Sequence, residues 1–261
     1  MIPLRDDIPT TRLPIVTLLL IAVNVVVYLI SLRHGGSLLG GPSQEVAVHY
    51  GAIPYEFTHS ASHCDPSALA GVVCHHQAGA SGPASPQPAT PLTAISSMFL
   101  HANPLHLLGN MLFLWIFGNN VEDAMGRLRF LSFYILGGLA ALALQIAVDP
   151  NSMAPTIGAS GAIATVLGGY ILLYPRAKIM TLVFIVLFFT VIEIPAILML
   201  GIWFAEQAVL GAAGLADPTG GGGGVAYFAH VGGFAFGLLL IKVFATTRPQ
   251  PPRPRLPGFP V

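Results

Sequence analysis

Charge is what this 261-residue chain has least of: 8% of its residues are Asp, Glu, Lys or Arg, where a soluble domain carries about 25%. So few charges cannot cover a water-facing surface. With 54% hydrophobic residues and a mean hydropathy of +0.74, the chain is expected to be an integral membrane protein. Formal net charge is zero, so no basic surface is available for nucleic acid. Several chemistries are missing outright. There is no HExxH for a zinc protease, no pair of aspartates inside the apolar runs, and no internal repeat of the kind transporters are built from. A small transporter is thereby the weakest of the membrane alternatives. A cleavable signal is also not expected, because the first apolar run, Leu13 to Leu32, has 20 uncharged residues and no convincing cleavage site after it.

What is present is a series of apolar runs. After Leu13–Leu32 come Ile95 to Phe117, Leu128 to Val148, Ile157 to Tyr174, Ile179 to Ala213 and Tyr227 to Ala245. The run from 179 to 213 is too long for one helix, is interrupted by Glu193 and Pro195, and begins with β-branched and aromatic residues that suit an extended or interfacial segment. The basic residues decide the count. With six spans and the N-terminus inside, Arg5, Arg12, Arg127, Arg129, Arg176, Lys178, Lys242, Arg248, Arg253 and Arg255 share one side, and only Arg33 lies opposite. The expected organisation is an all-α, six-span bundle over 1–245, with an external insert at 35–91 and a Pro-rich basic tail at 246–261. Residues 179–192 form an inside connection at the interface. A bacterial inner membrane, both termini cytoplasmic, is the expected setting.

Spans two, four and six then run in the same direction and share a depth. Near the outer end of span four, Ser160 sits between Gly158, Ala159 and Gly161; near that of span six is His230; His106 and Asn110 are four apart on one face of span two. Polar side chains at membrane depth are costly and by default functional. Small residues on span four (Ser160, Ala164, Gly168) and on span six (Gly233, Gly237) allow close helix approach. If those faces meet, Ser160 and His230 meet. Neutral imidazole can take the serine proton, and Asn110, His106 and the Ser160 backbone N–H can receive an oxyanion. Each residue has a bland counterpart: a packing serine, a buried hydrogen-bonded histidine, a helix tie. Glu206 and Glu193 do not complete a triad in any evident way, so a dyad is the economical reading.

These residues resemble the rhomboid intramembrane serine proteases. "GASGA" is similar to that family's nucleophile motif, "HANPLHLLGN" to its HxxxN motif and "AHVGGFAFG" to its sixth-span motif; "GNNVEDAMGRLRF" and "GIWFAEQ" also fit. The resemblance covers roughly 1–32 and 95–245. It implies Ser160 as nucleophile, His230 as general base, an oxyanion hole of His106, Asn110 and the Ser160 amide, and His101 near a water route. It further implies cleavage of peptide bonds in or beside transmembrane segments of membrane-protein substrates, without metal, cofactor or obligate partner. Residues 214–226 would be a cap over the site. The class-level alternative is an inactive rhomboid-like binding or chaperone protein.

Two departures stand out. Ala164 occupies the place of an aromatic residue that in some members stacks under the histidine, so another group must orient His230. The insert lacks the Trp-Arg pair of many members. It does hold both cysteines, Cys64 and Cys74, whose expected external position favours a disulfide. A metal site with His59, His63, His75 and His76 is the rival reading.

Overall fold

Residues 2–59, 62–67, 71–74, 86–185, 188–216 and 225–246 are described by the computed structural model. The cap over the site falls mostly at 217–224 and the basic tail mostly at 247–261; these parts, with His75 and His76, lie outside the described residues.

The bundle is organised around α8 (Ser160–Leu173), whose residues from Ala162 to Ile171 are all buried. A helix that is apolar on every face belongs in the middle. Around it stand α7 (Arg127–Val148), α9 (Ala196–Ala216) and α10 (Tyr227–Phe244), while α1 (Ile15–Ser31) packs farther out. Among the described residues, three helices are long and apolar enough to cross a membrane: Arg127–Val148, Ala196–Leu215 and Tyr227–Phe244. Ile15–Ser31 and Ser160–Leu173 are apolar but shorter. Outward-facing Leu19, Val26, Leu29, Ile202, Val209, Leu239 and Val243 are exposed, as lipid-facing side chains are. This is a helical integral membrane protein.

The expected second span needs correction. It does not start at Ile95. Residues Thr90–Ser96 form a separate short helix, α4, followed by a 3₁₀ turn at Ser97–Phe99 and an extended link through His101. The long helix begins at Pro104, where Asn103 caps it by accepting from His106 N at 2.9 Å and proline takes the first helical position. It then runs without a break through α5 (Pro104–Phe113), a π-helical turn (Leu114–Gly118) and α6 (Asn119–Met125). Glu122 and Asp123, whose charge in the sequence reads as separating the second span from the third, therefore lie inside the helix. Buried in α6, Glu122 accepts from Val16 N (3.0 Å), Thr17 N (2.8 Å) and Thr17 Oγ1 (2.7 Å), satisfying the orphan donors at the start of α1.

The all-α expectation is corrected as well. The segment after α8 folds into a hairpin of β4 (Lys178–Ile185) and β5 (Phe188–Pro195), and β4 also pairs with the N-terminal strand β1 (Ile2–Asp6), giving the order β1-β4-β5. No helix lies among the described residues of this segment. The apolar run at 179 thus splits into a hairpin and α9. The sheet sits at the end of the bundle away from Ser160. At the other end lies the insert, with α2 (Gln44–Tyr50), α3 (Pro54–Thr58) and a two-stranded sheet of β2 (Cys64–Ser67) and β3 (Gly71–Cys74). Cys64 and Cys74 pair across β2 and β3 as a disulfide, which leaves neither sulfur for a metal. Val48, Ile53 and the disulfide form the insert's own small core.

Candidate active site

Ser160 is the first residue of α8. The chain enters it through Gly158, whose φ of +125° strongly favours glycine. Space makes the same demand, since a Cβ there would lie 2.8 Å from His106 Cε1 and 2.9 Å from its Nε2. The same point is 3.6 Å from Ser160 Oγ, so His106, Gly158 and the serine hydroxyl share one small volume. Gly158 N donates to Ser97 O at 2.8 Å, and the loop before it is tied to the insert by the reciprocal pair Ala52 N to Thr156 O (3.1 Å) and Thr156 N to Ala52 O (2.8 Å).

His230 is in the first turn of α10, and glycines bring that helix against α8. A Cβ on Gly233 would stand 2.1 Å from Gly161 O, and one on Gly237 2.1 Å from Thr165 O. One on Gly168 would stand 2.2 Å from Phe234 O. The close approach on α8 therefore runs through Gly161, Thr165 and Gly168; Ala164, expected on this stripe, is fully buried but is not among these closest approaches. Backbones this close bring the two polar residues together: His230 Nε2 is 2.7 Å from Ser160 Oγ. The hydroxyl can donate only if Nε2 lacks a proton, which puts the ring proton on Nδ1.

The remaining expected residues gather beside this pair. His106 Nδ1 accepts from Ala102 N at 3.4 Å, so its proton is on Nε2, the nitrogen next to Gly158. Asn110 is buried, and its Nδ2 has no hydrogen-bond partner among the described residues. The Ser160 N–H, at the first helical position, has no acceptor inside the helix. His101 is fully buried with its ring edge-on to His106 at 5.1 Å; it backs the site and lies behind the cleft wall. Ala159 is buried at the N-cap of α8. A cleft of about 790 Å³ opens over the group, lined by Ser160, His230, His106, Asn110, Gln145 and Trp203.

Two neighbours of His230 were not anticipated from the sequence. Gln207 Oε1 lies 2.7 Å from Nδ1, and the Trp203 ring lies 5.8 Å from the imidazole, tilted by 35°. Both come from α9, four residues apart and hence on one face. That spacing, in a span already set at the depth of His230, was the available signal; attention to acidic residues passed over the amide beside Glu206.

Fold and site together define a polytopic helical membrane protein with a serine–histidine pair at the head of its central helix. The rhomboid domain matches residues 88–247, and the chain belongs to the rhomboid family. It is 34% identical over 154 residues to Rhomboid protein 1, mitochondrial, of Saccharomyces cerevisiae, covering 57% of this chain and 40% of that one. It is 33% identical over 101 residues to Presenilin-associated rhomboid-like protein A, mitochondrial, of Danio rerio, covering 38% and 26%. RHOMBOID-like protein 5 of Arabidopsis thaliana is 34% identical over 74 residues, covering 28% and 24%. The chain thus matches less than half the length of these relatives.

Proposed function

We propose that this chain is an intramembrane serine endopeptidase that cleaves peptide bonds in or next to transmembrane segments of membrane proteins. The observation that carries the reading is the 2.7 Å contact between Ser160 Oγ and a ring nitrogen of His230 at the base of an open cleft. As Oγ attacks the substrate carbonyl carbon, its proton moves to His230 Nε2. The carbonyl oxygen becomes an oxyanion and is received by His106 Nε2–H, Asn110 Nδ2–H and the Ser160 N–H. His230 then gives the proton to the departing amine. Water hydrolyses the acyl-enzyme with the same proton transfers, leaving a carboxylic acid and free Ser160. A donor without a partner among the described residues, as Asn110 Nδ2 is, is what an oxyanion site requires before substrate arrives.

The same reading gives six spans, with the long helix Pro104–Met125 as the second, and puts the site on the side opposite the basic residues. In a cell membrane that side is the outside and both termini are cytoplasmic. Two of the relatives carry mitochondrial names, and those names describe those proteins.

Purified protein reconstituted with single-span peptides tests the proposal. Cleavage in or beside the span, lost in Ser160→Ala, is expected. Binding of such peptides by the wild type without any cleavage would replace the protease reading with that of a binding protein.

A further inference from the structure

A serine–histidine pair leaves one question open: what keeps the imidazole in the one tautomer that can accept the serine proton. The usual answer is a carboxylate on the far ring nitrogen. Among the described residues no Asp or Glu is hydrogen-bonded to His230, and Glu206 on α9 is exposed. The far nitrogen meets an amide oxygen instead, Gln207 Oε1 at 2.7 Å, in a side chain that is itself buried.

We propose that Gln207 is a positioning residue that completes the site as a Ser160–His230–Gln207 relay. By accepting from Nδ1–H, the amide oxygen fixes the proton on Nδ1 and leaves Nε2 free for Ser160. The two bonds are mutually consistent: each requires the same tautomer. An amide is also the acceptor that suits this depth. A carboxylate would bring a charge into low dielectric, with its desolvation cost, whereas Gln207 supplies an oxygen without one.

Trp203 completes the arrangement. One turn before Gln207, it holds a ring beside the imidazole and also faces Phe234, 6.2 Å away. Phe204 stacks on the same Phe234 at 4.5 Å, which fixes α9 against α10 where Gln207 must reach. With alanine rather than an aromatic residue at 164, the ring and amide beside His230 come from α9. The amide takes no proton during turnover. His230 alone carries it, from Ser160 Oγ to the leaving amine, and the imidazolium formed between the two steps donates to Gln207 through Nδ1 throughout.

This inference rests on the protease reading for its meaning but can be tested apart from it. The protein is labelled with ¹⁵N-histidine, and the His230 ring nitrogens are assigned by their loss in His230→Ala. Wild type should show the Nδ1–H tautomer. Gln207→Leu, which keeps volume but removes the acceptor, should show a tautomer mixture. Gln207→Glu, which carries an acceptor oxygen whether neutral or ionised, should restore Nδ1–H. Wrong tautomers in a serine triad cost about 10⁴ in turnover. For an uncharged partner we expect Gln207→Leu to lower kcat roughly 10–100-fold with KM unchanged, and Gln207→Glu to recover most of that. An unaltered Nδ1–H tautomer in Gln207→Leu would overturn the assignment. So would equal kcat losses in both variants with wild-type melting temperatures, since that pattern is one of packing. If the wild type cleaves nothing, the protease reading falls while the tautomer result still decides the role of Gln207.

Discussion

The two ends of α8 are secured by different chemistry. At the Ser160 end the side chains brought together are uncharged types or histidines; His230 is hydrogen-bonded on both ring nitrogens, while Asn110 Nδ2 has no partner among the described residues beside the cleft. At the far end carboxylates dominate. Asp6 Oδ2 accepts from Tyr170 OH at 2.6 Å and from Asn120 Nδ2 at 2.5 Å, while Asp123 accepts from Thr11 and Glu122 from the start of α1. Charge is used where it ties distant parts of the chain together. It is withheld where the proposed reaction would need groups that change partners. One end is built to hold; the other is the end to which the proposed chemistry belongs.

Substitutions at the two ends should therefore fail in different ways. The largest effect is expected at the pair itself. Ser160→Ala and His230→Ala should each abolish turnover, and the double variant should lose little more, because the two act as one unit. Melting temperatures should stay near wild type. Cleavage at the wild-type rate in either single variant would remove the distinction between the ends.

The next effect belongs to the oxyanion donors. Asn110→Ala should slow the chemical step by roughly 10²–10³ with substrate affinity little changed. Single-turnover kinetics separates the two quantities. A loss confined to affinity would move Asn110 out of the oxyanion site and into substrate binding.

A smaller effect is expected from the insert, which braces the Ser160 end from outside through Ala52, Thr156 and the link from Tyr55 N to Ser152 O at 3.0 Å. In that lobe burial raises the Glu56 carboxyl above its ordinary range, although it accepts from Cys64 N at 2.7 Å. Replacing both cysteines by serine should cost the lobe up to about 3 kcal/mol, as opening a loop of this size does. Turnover should fall several-fold through the Thr156–Gly158 loop. Unchanged kinetics would show that the brace does not reach the site.

The smallest effect is at Asp6, and it should touch stability alone. Burial lifts its carboxyl from the ordinary range to about 6, against the bond from Tyr170, which lowers it; neighbouring Asp7 adds to the rise. The folded state thus holds this proton more tightly than the unfolded chain. Stability should decline as pH rises through the window from about 4 to about 6, with the full penalty present at pH 7. Asp6→Asn should cancel a pH-dependent difference of roughly 1–3 kcal/mol between pH 5 and pH 7 while leaving the cleavage rate alone. Thermal melts of the two proteins at both pH values give the comparison. A wild type that gains stability on going from pH 5 to pH 7 relative to Asp6→Asn would reverse the sign.

The contrast also explains what could be read from the sequence. Ser160, His230, His106 and Asn110 were legible because polar residues are rare in apolar runs and their order fixes their depth. The far end was not legible in the same way. Pairing of Ile2 with Leu182 joins strands far apart in the chain, and β4 and β5 lie in an apolar run whose period does not separate strand from helix. The start of the second long helix was displaced because apolarity begins at Ile95, whereas the helix obeys the Asn103–Pro104 cap. Glu122 and Asp123 read as a separator of spans from their charge, yet both are buried in α6, where Glu122 caps α1 and Asp123 accepts from Thr11. Gln207 was missed because a neutral amide carries no charge to mark it.

The central claim is that Ser160 is a nucleophile made reactive by His230. A fluorophosphonate probe measures this directly, since it bonds to an activated serine and needs no knowledge of the substrate. In detergent-solubilised protein we expect one equivalent of probe on Ser160, located by peptide mass, with labelling absent from Ser160→Ala and lost or greatly slowed in His230→Ala. Folded wild-type protein that takes up no probe, or takes it up equally well without His230, would contradict the account.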